Sequence, residues 1–214
     1  MARKSRIYQI YFELLKKHGP PVALWSQWCA PKKDKKLKEI IVLGAILTQR
    51  TSWRNAHLAL LNLKKENLLS LEKIAGLKDL GRLRELIRSA GFFQTKPKRL
   101  FEFASFVVSQ YGSLEKLGKK SLKQAREELL GLYGIGPETA DVILLFCLGK
   151  PSFVIDEYTK RLVKKEGLAE KFDYDYLKNI FEKNLPKKVA VYQNYHALII
   201  IEQRGRKAAK MEVV

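Results

Sequence analysis

The chain has 214 residues, and its 41 Lys and Arg against 22 Asp and Glu give a formal net charge of +19. Such an excess argues against an enzyme of small neutral metabolites and favours a polyanionic partner, although ribosomal and membrane-surface proteins share it. No apolar run is long enough for a signal peptide or a membrane anchor, and the two cysteines, Cys29 and Cys147, lack metal-ligand spacing.

The first predicted element is a helix over residues 6–18, where apolar residues recur at helical spacing before a Gly19-Pro20-Pro21 stop. Two tryptophans, Trp25 and Trp28, then stand in a loop-like stretch. They fit packing in the core, and they fit equally an aromatic wall for a base pulled out of a duplex.

A nearly continuous apolar run over residues 39–47 predicts a buried helix, and the lysine-rich residues 32–38 before it are typical of a solvated helix start. The run leads into TQRTSW, residues 48–53. By residue type alone, Gln49 fits a helix C-cap or a polar loop position.

Residues 53–118 are predicted to form several short helices, with breaks at Gly76, Gly81, Gly91 and Gly112. A basic helix start follows the third of these glycines. We expect one or two of its cations to contact phosphate, the others being solvated; they are Lys96, Lys98 and Arg99.

Residues 130–156, LGLYGIGPETADVILLFCLGKPSFVID, contain the most informative pattern. Gly134 and Gly136 bracket one apolar residue, Ile135, so the chain can reverse between two helices without Cβ clashes. Pro137 suits the first turn of the second helix, and bare backbone N–H groups beside a helix start can bind phosphate. Asp156 ends a short apolar run where another helix should begin, so it also fits an ordinary N-cap.

Further helices are predicted over residues 157–167, 173–185 and 189–210, the last with a break at Gly205. His196 lies on an apolar face of the last helix and is interpreted as a core residue. Arg204 is a candidate DNA contact, whereas Lys207 and Lys210 are weaker candidates. No segment has a convincing strand pattern, so the predicted fold class is all-α.

GIGPETA, followed by an aspartate eighteen residues after Glu138, resembles the helix-hairpin-helix and Gly/Pro…Asp motif of the endonuclease III superfamily of DNA glycosylases (HhH-GPD). The resemblance covers residues 38–203. The Trp shortly after Gln49 and the absence of cysteine after His196 resemble the cluster-less 3-methyladenine DNA glycosylase III branch. It implies a single unit of two helical lobes flanking a DNA-binding cleft, one from residues 38–130 and one from 1–37 plus 150–214.

The resemblance also assigns roles. Asp156 is the implied catalytic carboxylate, and Gln49 the residue that fills the hole left by a flipped nucleotide. The implied base pocket comprises Trp25, Trp28, Trp53, Glu138, Lys207 and Lys210. The implied DNA contacts are Gln49, Gly134, Ile135, Gly136, Thr139, Lys96 and Arg204. No iron–sulfur cluster or other cofactor is expected, apart from a monovalent cation that the hairpin could hold.

Glu138 departs from the bifunctional enzymes, which have a lysine in this place that attacks C1′ and nicks the strand. Because a carboxylate cannot form a Schiff base, we expect a monofunctional glycosylase that releases a damaged base, such as 3-methyladenine, from double-stranded DNA. A pocket carboxylate would favour a cationic base, while the alternative for Glu138 is a first-turn acid favoured by the helix dipole.

Two other functions stay open: an endonuclease III-like lyase that acts on oxidised pyrimidines through another lysine, and a non-catalytic DNA-binding protein. In each case we expect a cytoplasmic, nucleoid-associated monomer with no membrane partner.

Overall fold

The computed structural model describes residues 5–211 and 214. Throughout this part of the chain the protein is helical and has no β-strand, which confirms the predicted all-α class. The helices are α1 Arg6–His18, α2 Lys35–Leu47, α3 Trp53–Lys65, α4 Leu71–Ala75, α5 Gly81–Leu86, α6 Lys96–Phe106, α7 Leu114–Gly118, α8 Leu122–Leu130, α9 Pro137–Val142, α10 Glu157–Glu166, α11 Tyr174–Asn184 and α12 Val189–Arg204.

Helix α2 is central to the fold. Its residues from Glu39 to Leu47 are all buried, and it packs against α3, α6, α7 and the chain around α9. A helix surrounded on every side needs no polar face, which explains the unbroken apolar run. The predicted helix is confirmed, but it begins at Lys35, where the Asp34 side chain accepts a hydrogen bond from the Leu37 N–H at 2.8 Å.

A second group of helices joins the two ends of the chain. Helix α1 packs on α12 and α11, and α10 packs on α12. The Tyr195 hydroxyl of α12 donates to the Ile7 carbonyl of α1 at 3.0 Å, and both residues are buried. The N-terminal helix is therefore held against the C-terminal helices, while the lobe boundaries stay a prediction.

Helices α8 and α9 form the hairpin. Ser121 and Gln124 start α8 with a reciprocal capping box, and Gly136 is the N-cap of α9. Between them, Ile135 is buried and its N–H donates to the Leu132 carbonyl at 3.1 Å. After α9 a π-helical turn, Ile143–Cys147, continues the same apolar run before the chain extends towards Asp156.

Candidate active site

A cavity of about 670 Å³ opens between the end of α2, the start of α3, α9, the start of α10 and α12. Its wall brings together residues that lie far apart in the sequence. The predicted site residues in that wall are Trp25, Trp28, Gln49, Trp53, Glu138, Thr139, Asp156 and Arg204.

Asp156 is the most buried carboxylate of the cavity wall, and it is also the N-cap of α10. Its Oδ1 accepts a hydrogen bond from the Thr159 N–H at 2.7 Å, and its Oδ2 lies 3.4 Å from Nε2 of His196. Burial alone would raise the pKa of this carboxyl, but the His196 ring and the Thr159 bonds outweigh it and hold the pKa below its ordinary value. An ionised carboxylate therefore faces a largely apolar cavity.

A buried ionic network supports the segment that carries Asp156. Asp141 of α9 is fully buried and accepts from Arg126, from the Ser152 hydroxyl at 2.7 Å and from the Tyr174 hydroxyl at 2.9 Å. The Lys178 ammonium lies 3.2 Å from the same carboxylate and also donates to the Phe153 carbonyl. The chain just before Asp156 is thereby tied to the hairpin and to α11.

Glu138 occupies the mouth of the cavity, in the first turn of α9. Partial burial, and then the neighbouring Asp156 carboxylate, raise the pKa of Glu138, although the residue remains exposed. A cation bound in the cavity would offset both effects and favour the charged form of Glu138.

Three buried tryptophans form one side of the cavity. Trp28 lies edge-on between its neighbours, with its ring centroid 5.5 Å from that of Trp53 and 5.6 Å from that of Phe146. The Trp25 indole N–H donates to the Ala209 carbonyl at 3.1 Å, which fastens the C-terminal segment over the cavity. Trp25 and Trp28 pack in the core and also line the cavity, while their role as a wall for a flipped base stays a prediction.

Gln49 lies between α6 and the hairpin. Its Nε2 donates to the Gly134 carbonyl and to the Thr139 hydroxyl, each at 2.9 Å, and its Oε1 accepts from Nη1 of Arg99 at 2.5 Å. Gly134 has φ +76°, and a Cβ there would lie 2.5 Å from the Arg99 side chain. The sequence did not predict this role of Arg99, which packs against Gly134 and donates a hydrogen bond to Gln49.

The exposed side of the hairpin has an aromatic residue that sequence reasoning also missed. Tyr133 is 47% exposed, and the Lys98 ammonium lies 4.6 Å from its ring centroid. This places a cation beside the turn and leaves it accessible.

Two expectations need correction. Lys96 is fully buried, and its ammonium donates to the Leu47 and Ala90 carbonyls at 2.7 Å, so it supports the end of α2 and is closed off from phosphate. Lys207 and Lys210 are exposed and lie outside the cavity wall, where Met211 is the contributor from this segment. The interpretation of His196 as a core residue agrees with its burial, and the structure in addition places the residue in the cavity wall beside Asp156.

Two further features, a metal cluster and a membrane span, are absent from residues 5–211 and 214. No group of three His, Cys, Asp or Glu side chains is placed to hold a metal ion there. None of the helices in residues 5–211 combines the length and apolarity needed to cross a bilayer.

Known proteins match this chain in family and in sequence. Residues 43–187 match the family of HhH-GPD superfamily base excision DNA repair proteins. The chain is 46% identical over 197 residues to a Methanocaldococcus jannaschii protein named as a candidate DNA repair glycosylase, covering 91% of this chain and 85% of that protein. It is 27% identical to endonuclease III of Rickettsia felis, over 78% of this chain and 70% of the relative.

A solved structure shares both fold and extent. The H. pylori 3-methyladenine DNA glycosylase bound to 1,N6-ethenoadenine superposes with a TM-score of 0.77 and 28% identity, covering 92% of this chain and 97% of the other. Its helical architecture is thus matched over nearly the whole length of both proteins. The chain belongs to the HhH-GPD superfamily of base excision DNA repair proteins.

Proposed function

We propose that this protein is a monofunctional DNA glycosylase that hydrolyses the N-glycosidic bond of a flipped, alkylated purine and leaves an abasic site. The observation that carries the proposal is the cavity, which combines the Asp156 carboxylate, a tryptophan wall and Glu138 in the place of a nucleophilic lysine. No lysine of the described chain lines this cavity, which argues against a Schiff base.

Asp156 has the properties that bond cleavage requires. When the base leaves deoxyribose, positive charge develops on C1′ and the ring oxygen, and a carboxylate close to the sugar stabilises it. Because the pKa of Asp156 is lowered, the group is ionised at neutral pH. The same carboxylate can align the water that attacks C1′ as the base departs.

The cavity wall favours a purine with a positive charge. A cationic base is attracted to the faces of Trp28 and Trp53 and to the carboxylates of Glu138 and Asp156, whereas a neutral base gains only the stacking. Methylation at N3 or N7 gives a purine a formal positive charge. The H. pylori relative is a 3-methyladenine DNA glycosylase bound to 1,N6-ethenoadenine, which supports a damaged purine as the substrate.

The partner of this reaction is double-stranded DNA, which the protein engages as a monomer. Flipping a nucleotide costs a few kcal/mol, and a damaged base that pairs poorly lowers this cost. Phosphate contacts at the hairpin and insertion of Gln49 into the duplex would offset the remainder. Insertion requires that Gln49 exchange its bonds to Gly134, Thr139 and Arg99 for contacts with DNA.

The test is a single-turnover incubation with purine-methylated duplex DNA, with each sample divided and one half treated with hot alkali. We expect strand breaks after alkali alone, which reports base release without lyase activity. Breaks without alkali, together with a borohydride-trapped protein–DNA adduct, would refute the monofunctional proposal. No release from any methylated purine would refute the proposed substrate class.

Asp156→Asn separates the enzyme from a simple DNA-binding protein. The variant should bind the same duplex with unchanged affinity and release base at least about 10²-fold more slowly. Release at the wild-type rate would exclude Asp156 as the catalytic group.

A further inference from the structure

His196 is a buried histidine whose ring nitrogens have one charged neighbour in the described part of the chain, the Asp156 carboxylate. It is 5% exposed, and neither of its ring nitrogens has a hydrogen-bond partner among the described residues. The ring packs edge-on against Trp25 and tilted against Phe146, at centroid distances of 6.0 and 5.6 Å. Its one polar neighbour in an ion-pair distance is the Asp156 carboxylate, at 3.4 Å.

A buried imidazole without hydrogen bonds is costly unless a charge compensates for it. Two other polar side chains on this part of α12 have a backbone partner, whereas the buried Tyr192 hydroxyl has no hydrogen bond among the described residues. Gln193 donates to the Leu145 carbonyl at 2.9 Å, and Tyr195 donates to the Ile7 carbonyl at 3.0 Å. The rings of Trp25 and Phe146 therefore orient the imidazole of His196 towards Asp156, since these apolar neighbours provide no hydrogen-bond partner.

We propose that His196 is a positioning residue for Asp156: as an imidazolium it pairs with the buried carboxylate, keeps that carboxylate ionised and holds it facing the cavity. This inference rests on the proposed function of Asp156 in base release. His196 takes no part in bond making.

Other charged and titratable groups share the cavity, so the pairing must be judged against them. Glu138 of α9 and Glu157 of α10 add negative charge, Arg50 and Arg204 add positive charge, and Tyr158 is titratable. Two acidic neighbours would oppose ionisation of Asp156, and a cation close to its carboxylate would oppose their effect. Among the described residues, His196 is the basic side chain that lies within 4 Å of the carboxylate, with 3.4 Å between its Nε2 and Oδ2 of Asp156.

The proposed pairing predicts a specific pH dependence of base release. The imidazolium also repels the positive charge that develops on the sugar, so removing it should change the plateau rate little at pH values where Asp156 is ionised without help. The loss should instead appear at acid pH. A merely structural role would lower the rate at all pH values alike.

The experiment is the pH dependence of single-turnover base release for wild type, His196→Phe and His196→Gln. For His196→Phe we expect the acid limb to move up by about one pH unit or more, as a charge at this distance shifts a carboxyl, which is roughly a tenfold lower rate on the limb. His196→Gln retains a possible N–H donor without the charge, so its shift should be smaller. An unmoved acid limb in both variants would overturn the proposal.

A matched control lies outside the cavity. His18 of α1 pairs with Glu202 at 2.6 Å, a histidine–carboxylate contact of the same chemistry, and neither residue lines the cavity wall. His18→Gln should leave the acid limb of base release where it is in wild type. A shift of equal size in this variant would mean that the limb reports general stability, and would also overturn the proposal.

A second readout does not need activity. In urea unfolding between pH 3 and 7, the pH dependence of the cost of His196→Gln should differ between the wild-type background and an Asp156→Asn background, because only the first contains the carboxylate partner. Additive costs at every pH would refute the pair. If wild type releases no base from methylated DNA, the proposed function fails by itself, while this cycle still decides whether the pair exists.

Discussion

The contact between Gly134 and Arg99 gives a sharp prediction for the hairpin. Gly134 has φ +76°, and a Cβ added there would lie 2.5 Å from Cδ and Nε of Arg99. Gly136, two residues on, has φ −88°, and a Cβ there would meet no atom within 4 Å. The same Gly→Ala change at two positions of one turn should therefore have very different effects.

The magnitude for Gly134→Ala has two parts. A left-handed backbone costs an L-residue about 1–2 kcal/mol. The new methyl also displaces Arg99, which breaks its bond to Gln49, and a bond to a charged group is worth about 1.5–3 kcal/mol when buried and less in a half-exposed position. We expect a loss of about 2–4 kcal/mol for Gly134→Ala and under about 0.5 kcal/mol for Gly136→Ala.

The assay is urea unfolding of the two variants, followed by a double-mutant cycle with Arg99→Ala. In the Arg99→Ala background the steric part is gone, so the cost of Gly134→Ala should fall to the backbone part, about 1–2 kcal/mol. Equal costs for the two glycine variants would refute the argument from φ. Full additivity in the cycle would refute the argument from the Arg99 contact.

Four further outcomes are expected. Asp156→Asn should slow base release at least about 10²-fold with unchanged affinity for DNA, measured by single-turnover kinetics and fluorescence anisotropy. Glu138→Gln should reduce the preference for cationic over neutral purines, measured as the ratio of kcat/KM values for the two. Lys96→Met should leave the salt dependence of DNA binding unchanged. In wild type, burial lowers the pKa of Lys96 to about 8, so the free energy of unfolding should rise relative to Lys96→Met as the pH increases from 8 towards 10.5, measured by urea unfolding. Asp141→Asn should destabilise the fold by about 3–5 kcal/mol in the same assay, because Lys178 and Arg126 lose their buried counter-charge.

Sequence patterns predicted the features that depend on neighbouring residues. Helix α1 lies over the predicted residues 6–18, and Gly205, the predicted break, follows the end of α12 at Arg204. The all-α class and the hairpin were predictable for the same reason: apolar periodicity, glycine conformation and proline position are local properties. The family resemblance, which depended on the hairpin and the spacing to Asp156, is confirmed.

The misplaced residues depend on tertiary contacts. Lys96 was assigned to the surface because it is a cation, yet it shares the buried face of α6 with Leu100 and Phe103, at spacings of four and seven residues. That spacing was visible in the sequence and could have corrected the assignment. The carbonyls that Lys96 binds, those of Leu47 and Ala90, belong to separate segments and left no local signal.

The polar residues of α12 show what a sequence can and cannot specify. This helix is buried around much of its circumference, so its polar side chains need partners in the interior, although the Tyr192 hydroxyl has no hydrogen bond within the part of the chain that the structure describes. The need for partners was therefore predictable for Gln193 and His196, but their identity was not, since the partners lie 48 and 40 positions away, at Leu145 and Asp156. An apolar pattern predicts that such a helix is buried, and tertiary packing decides which of its polar residues reaches the site.

Several buried polar and charged groups surround Asp156, and its burial suggests a reason for them. A carboxylate that must stabilise a transient positive charge is more effective in a poorly solvated cavity, but the same burial favours its neutral form. The Thr159 N–H and the His196 ring oppose that tendency directly. The Asp141 network acts indirectly, because it holds Ser152 and Phe153, which lie just before Asp156 in the chain. We expect this to limit how far Asp156 can move towards solvent. Buried ion pairs contribute little net stability on average, so under the proposed function the Asp141 network would serve to hold the Asp156 carboxylate in place.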